Sequence, residues 1–140
     1  MARTTFSGPV RSLNGFIGNL VANPTVAAID ATATATAAQV ATGYITSTSA
    51  AATTITLPTG TLLGAALGAA QGTVFDLYVD NTGGASTVTM AVATNGILSS
   101  AAADTPGSFG DLTIASGATG IARFTLMFSS ATAYTFSRTA

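Results

Sequence analysis

Five aspartates, four arginines and a scatter of serines are the side chains with which this 140-residue chain could do chemistry, for it has no His, Cys, Lys, Glu or Trp. Asp76 and Asp80 are the nearest acidic pair. On a strand they share a face, but four residues at ~3.3 Å each separate them by about 13 Å, too far for the paired carboxylates of a glycosidase. Together with Asn81 they offer hard oxygen ligands of the kind calcium takes, yet a calcium site needs roughly six to eight of them. No serine has a His or Lys to activate it, and no GxSxG is present. Glycines 60, 64, 68 and 72 match neither a Walker nor a dinucleotide fingerprint, and no lysine is present to hold a phosphate. Arg123 and Arg138 have two readings: partners of Asp76 or Asp80 across strands, or, more simply, solvated surface charges worth little. The residues thus predict no catalytic, cofactor or metal site, and a protein that is not an enzyme.

Composition points the same way. Charged residues make up 6% of the chain and the net charge is −1, which removes the basic field that nucleic-acid binding requires. Zero Cys removes disulfides and thiolate chemistry. Ala and Thr dominate, with 29 and 26 copies. Mean hydropathy is +0.55, and no charge occurs between Asp30 and Asp76, so a membrane span must be weighed. The most apolar stretch, residues 57–75, carries Pro58, four glycines and three threonines, with no Trp, Tyr or Lys to anchor its ends. It argues against a membrane partner, and no signal peptide is visible at the start of the chain.

The elements that must position these side chains fall into two parts. Residues 1–28 read as an extended arm, because Gly8, Pro9, Gly15, Gly18 and Pro24 interrupt any helix. Phe6, Val10, Leu13, Phe16, Ile17, Leu20 and Val21 recur along it and seek burial, while Arg3 and Arg11 make it basic with no acid. A docking arm on a partner surface fits this pattern; packing along its own domain is the alternative.

Residues 29–140 read as a β domain. ATATAT at 31–36, YITST at 44–48 and TTITLP at 53–58 have strand composition. Thr36 and Gly43 bracket one or two helical turns. Thr59 caps a second short helix whose apolar face is Leu62, Leu63, Ala66, Leu67 and Ala70, its glycines lowering helix stability by about 1 kcal/mol each. In TVFDLYVDN, Phe75, Leu77 and Val79 face one way and Asp76, Tyr78 and Asp80 the other. Asn81-Thr82-Gly83-Gly84 predicts a hairpin back onto STVTMAVA, with Val88, Met90 and Val92 inward. Asn95-Gly96 marks a reversal, and residues 98–111, with Pro106, read as a long loop and candidate contact surface. DLTIA at 111–115, GIARFTLMFS at 120–129 and AYTFSR at 133–138 complete the strands, with Phe124, Leu126 and Phe128 opposite Arg123, Thr125 and Met127. The fold class is all-β with one or two short helices, a jelly-roll-like β-sandwich or barrel preceded by the arm.

The series TAAQVATGYITSTSAAATTITLPTG at 36–60, FDLYVDNTGGASTVTMAVATNG at 75–96 and GIARFTLMFSSATAYTFSR at 120–138 resembles a small β domain of tailed-phage virion proteins. The Thr-Ala-Ala-Gln opening, the Thr-Leu-Pro-Thr element and the ending at Tyr134, Thr135 and Arg138 carry the likeness. The start, MARTTFSGPVRSLNGFIG, resembles that of short phage head proteins, especially capsid decoration (cement) proteins. One departure is the hairpin end VTMAVATNG, where a glycine-rich turn is expected. The resemblance implies a structural protein on the outer surface of the virion capsid, bound to the major capsid protein and to itself as a homotrimer. Its arm would contact the capsid through Arg3, Phe6, Val10, Arg11, Leu13, Phe16 and Ile17. The alternative, from a different functional class, is a fibre or receptor-binding module that recognises host-surface glycan through Tyr78, Asp76, Asp80 and the 98–110 loop. A shell-forming subunit or an Ala-rich membrane coat protein is a third possibility, opposed by the short length and the β periodicity.

Overall fold

The computed structural model describes residues 26–98 and 111–140, and within them the protein is mainly β, with ten strands and two short helices. The arm expected over 1–28 therefore lies outside the described residues except for its last three, as do 99–110 of the expected long loop.

The chain passes back and forth between two sheets. β1 (Ala27–Ala28), β3 (Tyr44–Thr46) and β5 (Val74–Asp80) belong to the first sheet, and β2 (Ala33–Thr34), β4 (Thr53–Leu57) and β6 (Val88–Val92) to the second. Each follows its partner in the same direction, so Ala27, Ile45 and Val79 stack in register in one sheet. Ala33, Ile55 and Met90 do the same in the other. The first six strands are thus three parallel coils. β7 (Gly96–Leu98) joins the first sheet and β8 (Thr113–Ile114) the second. β9 (Ile121–Ser130) then runs antiparallel to β5, and β10 (Ala133–Arg138) antiparallel to β9. The first sheet reads β1-β3-β5-β9-β10-β7 and the second β2-β4-β6-β8.

This pairing corrects the expected hairpin. β5 and β6 do not pair; they lie in different sheets, although turn residues do separate them. Val88 and Met90 are inward as expected, and Val92 is half-buried against the core. The chain crosses over because β6 finds its neighbour in β4, where five consecutive residues match in parallel register, Thr53 opposite Val88 through Leu57 opposite Val92. Parallel pairing requires such a crossover, whereas a tight turn can join only antiparallel strands.

Local capping explains both helices. In α1 (Ala37–Ala41) the Thr36 hydroxyl accepts from the Gln39 amide at 3.2 Å while the Gln39 side chain accepts from the Thr36 amide at 2.8 Å. This reciprocal box satisfies two otherwise orphaned donors. Gly43 follows with φ +75°, the left-handed residue that ends helices. α2 (Gly60–Leu67) starts from Thr59, whose hydroxyl accepts from the Leu62 amide, and ends at Gly68 with φ +59°.

The buried face of α2 differs from the expected one. Gly60, Leu63 and Gly64 are buried and Leu67 packs on the core, whereas Leu62 is 60% exposed, Ala66 is exposed and Ala70 lies beyond the helix end. The glycines are the reason. A Cβ on Gly60 would collide with the Thr132 carbonyl oxygen, and one on Gly64 with the Ala131 carbonyl oxygen. The helix lies directly against the turn between β9 and β10, a distance only glycine permits.

One core joins the two sheets, with Ile45, Leu77, Val79, Phe124, Leu126 and Phe136 from the first and Ile55, Leu57, Val88, Met90 and Ile114 from the second. Phe124 stacks on Phe136 with ring centroids 4.8 Å apart, a spacing at which aromatic pairs attract. Tyr134 is fully buried and donates its hydroxyl to the Pro58 carbonyl at 3.0 Å, tying β10 to the entry of α2.

Candidate interaction site

Strand alternation gives β5 and β9 an inner and an outer face. The inner face is core; the outer one is the candidate site. Because β5 and β9 are antiparallel, residues far apart in sequence form rows across it. Val74 stands opposite Met127, Asp76 opposite Thr125, Tyr78 opposite Arg123 and Asp80 opposite Ile121. β3 adds Tyr44 beside Tyr78 and Thr46 beside Asp80. Val74 is 62% exposed, Ile121 50%, Met127 45% and Tyr78 40%. A shallow depression of about 130 Å³, lined by Tyr78, Ile121, Ala122, Arg123 and Ala140, opens at one end of this face.

The polar groups of the face are held by their neighbours. Thr125 donates its hydroxyl to Asp76 at 2.7 Å, and Tyr44 donates to Asp80 at 2.6 Å. Asp80 also accepts from the hydroxyl and the amide of Thr82. The Thr82 hydroxyl, then that of Tyr44, then the Thr82 amide hold the Asp80 carboxyl below its ordinary value, outweighing a small opposing effect of burial. In return, the bond to Asp80, partial burial and the nearby negative charge push the Tyr44 phenol up. Asp76 and Asp80 point outward as expected.

Neither arginine pairs with these aspartates, which corrects the first reading of the two and, for Arg138, the second. Arg138 reaches Asp111 at 3.1 Å and the Thr113 carbonyl at 2.8 Å, with side-chain exposures of 15% and 5% for the ion pair. It locks β10 to the start of β8 rather than decorating the surface. Arg123 donates from Nε to the Thr139 hydroxyl at 3.2 Å. Among the described residues, neither terminal nitrogen of its guanidinium has a partner.

Asn81 has a structural role. Fully buried, its amide nitrogen lies 2.8 Å from the Ser86 carbonyl, 3.0 Å from that of Ala115 and 3.2 Å from that of Ile114. Turned inward in this way, it joins the end of β5 to the segments before β6 and after β8. No group of three or more acidic, His or Cys side chains that could hold a metal occurs among the described residues.

The capsid-contact residues expected in the arm, Arg3, Phe6, Val10, Arg11, Leu13, Phe16 and Ile17, lie outside the described residues. Sequence reasoning placed Asp76, Tyr78, Asp80, Arg123, Thr125 and Met127 on outward faces, but missed Val74, Ile121 and Tyr44 as members of one surface. Period-two alternation sets Val74 with Asp76 and Ile121 with Arg123, but the joining of these rows and of Tyr44 into one surface depends on strand register, for which local periodicity carries no signal. No helix among the described residues is long and apolar enough to cross a membrane. No protein-family model, no curated protein and no solved structure matches the chain.

Proposed function

We propose that the chain is a non-enzymatic capsid decoration protein, bound as a homotrimer to the outer surface of a phage head between major capsid subunits. The observation that carries this reading is the pairing of two complementary parts. The β body gathers four exposed large apolar side chains on one sheet face, and a basic, apolar-dotted segment without acid precedes it. Exposed apolar groups concentrated on one surface mark interaction sites. A body with so little charge gains little solubility from electrostatic repulsion and suits life among neighbours. Two sheets around one core accord with a β-sandwich, while the parallel pairing among strands β1 to β6 departs from a jelly roll, whose strands are antiparallel.

In this proposal the segment supplies the contacts with the shell, with Phe6, Phe16 and Ile17 as apolar anchors and Arg3 and Arg11 as charged ones, since aromatic and Arg side chains commonly dominate interface energy. Binding only the assembled shell stabilises that assembly by mass action. The test is co-sedimentation of the full chain with shells of the cognate major capsid protein. The full chain pellets with the shells, and a variant lacking residues 2–22 stays in the supernatant. Equal occupancy by both forms removes the arm from the account. The second reading, a glycan-recognising fibre module, is favoured by the exposed Tyr78 beside Arg123 at the depression, and a location at the tail instead of the shell would support it.

A further inference from the structure

Six large apolar side chains are exposed among the described residues, and four of them, Val74, Tyr78, Ile121 and Met127, lie on the outer face of β5 and β9. We infer that this face is a contact surface between copies of the chain, with β5 of one copy lying over β9 of its neighbour. This inference uses the same exposed face as the shell reading but is distinct from the homotrimer proposed there, because a two-fold contact joins copies in pairs and cannot close a trimer.

The occupant follows from the way the two strands complement each other. A two-fold axis running along the strand direction between β5 and β9 exchanges them, as an isologous contact requires. Val74 then faces Met127 of the second copy, and Tyr78 faces Arg123. The first contact is apolar on apolar. In the second, the guanidinium meets an aromatic ring, an attraction that grows when both are desolvated. Arg123 has free terminal nitrogens among the described residues, and lines the depression together with Tyr78 and Ile121. The Tyr78 ring of the facing copy fills that depression, and Asp80, one row along on the same strand, puts a carboxylate within range of the same guanidinium. Arg123 and Asp80 thus answer each other across the contact, while Asp76 keeps the Thr125 hydroxyl of its own copy as donor. Aligned sheets pack face to face in this manner in sandwiches.

Sedimentation velocity of the purified full chain over a concentration series tests this. The wild type is expected to exceed its monomer mass of 13.7 kDa. Met127→Glu and Arg123→Ala weaken self-association by about tenfold or more, with circular dichroism unchanged because both positions lie on the outer face. Leu62→Glu, at an equally exposed apolar position on α2, leaves association as it was. A wild type that stays monomeric at its highest soluble concentration overturns the inference. So does an assembly that Met127→Glu and Arg123→Ala leave intact, or one that Leu62→Glu disturbs as strongly.

Discussion

Replacing Gly64 with Ala sets two effects of opposite sign against each other. Helix propensity favours the change by about 1 kcal/mol, because Gly is the poorer helix former. The structure opposes it. The new Cβ would overlap the Ala131 carbonyl oxygen, stand 3.0 Å from its carbonyl carbon and touch Phe128 at 3.5 Å. The obstacle is backbone in a tight turn between β9 and β10, so relief requires α2 to move away from the sheet and loosen Leu63, which is fully buried. Overpacking of this kind costs about 3 kcal/mol, leaving a net loss of about 2 kcal/mol. At about 4 °C per kcal/mol for a domain of this size, the melting temperature falls by about 8 °C. Thermal melts followed by circular dichroism measure it, with Ala66→Gly on the exposed side of α2 as the reference for propensity alone. A rise of about 4 °C for Gly64→Ala would show that propensity governs the site and that the close approach is not a constraint.

Asn81→Asp keeps the shape but replaces the amide donor with a carboxylate facing three carbonyls; urea unfolding is expected to show a loss of about 3 kcal/mol or more. Arg138→Ala removes the ion pair with the nearly buried Asp111 and costs about 3 kcal/mol by the same assay, part of which Asp111→Asn in the same chain recovers. Burial pushes the Tyr134 phenol up to about 12 from an ordinary value of 10. Its contribution is therefore fully present below pH 10 and lost as the pH rises towards 12, a change of about 2 to 3 kcal/mol. Melting temperatures across that interval fall for the wild type, and fall less for Tyr134→Phe.

What could be read from the sequence was what neighbouring residues decide. The Thr36 and Gln39 box, Gly43 after α1, Thr59 before α2 and the reversal at Asn95, whose φ is +64°, are all local devices with local signatures. The alternation of β5 and β9 was equally plain, because one face of each packs into a single core. The glycines of α2 misled, since a missing side chain looks like weakness until the carbonyls of Ala131 and Thr132 are seen against it. The turn after Asp80 misled for a related reason. Asn81 reads as a turn former, yet it is fully buried with its amide facing carbonyls of distant segments. The candidate face shows the same division. Tyr78 and Asp76 were assigned to an outward face by periodicity, while the meeting of Tyr78 with Arg123, 45 positions later, is fixed by the register of β5 on β9.

The proposal that this is a phage shell protein is tested most directly by purifying virus particles from the source that encodes the chain, imaging them by electron cryomicroscopy and locating the chain in the map. The account predicts the two-sheet body on the outer surface of the head, with the segment before Val26 running across neighbouring major capsid subunits. Density for the chain at the tail or its fibres, or a particle that lacks the chain altogether, would contradict it.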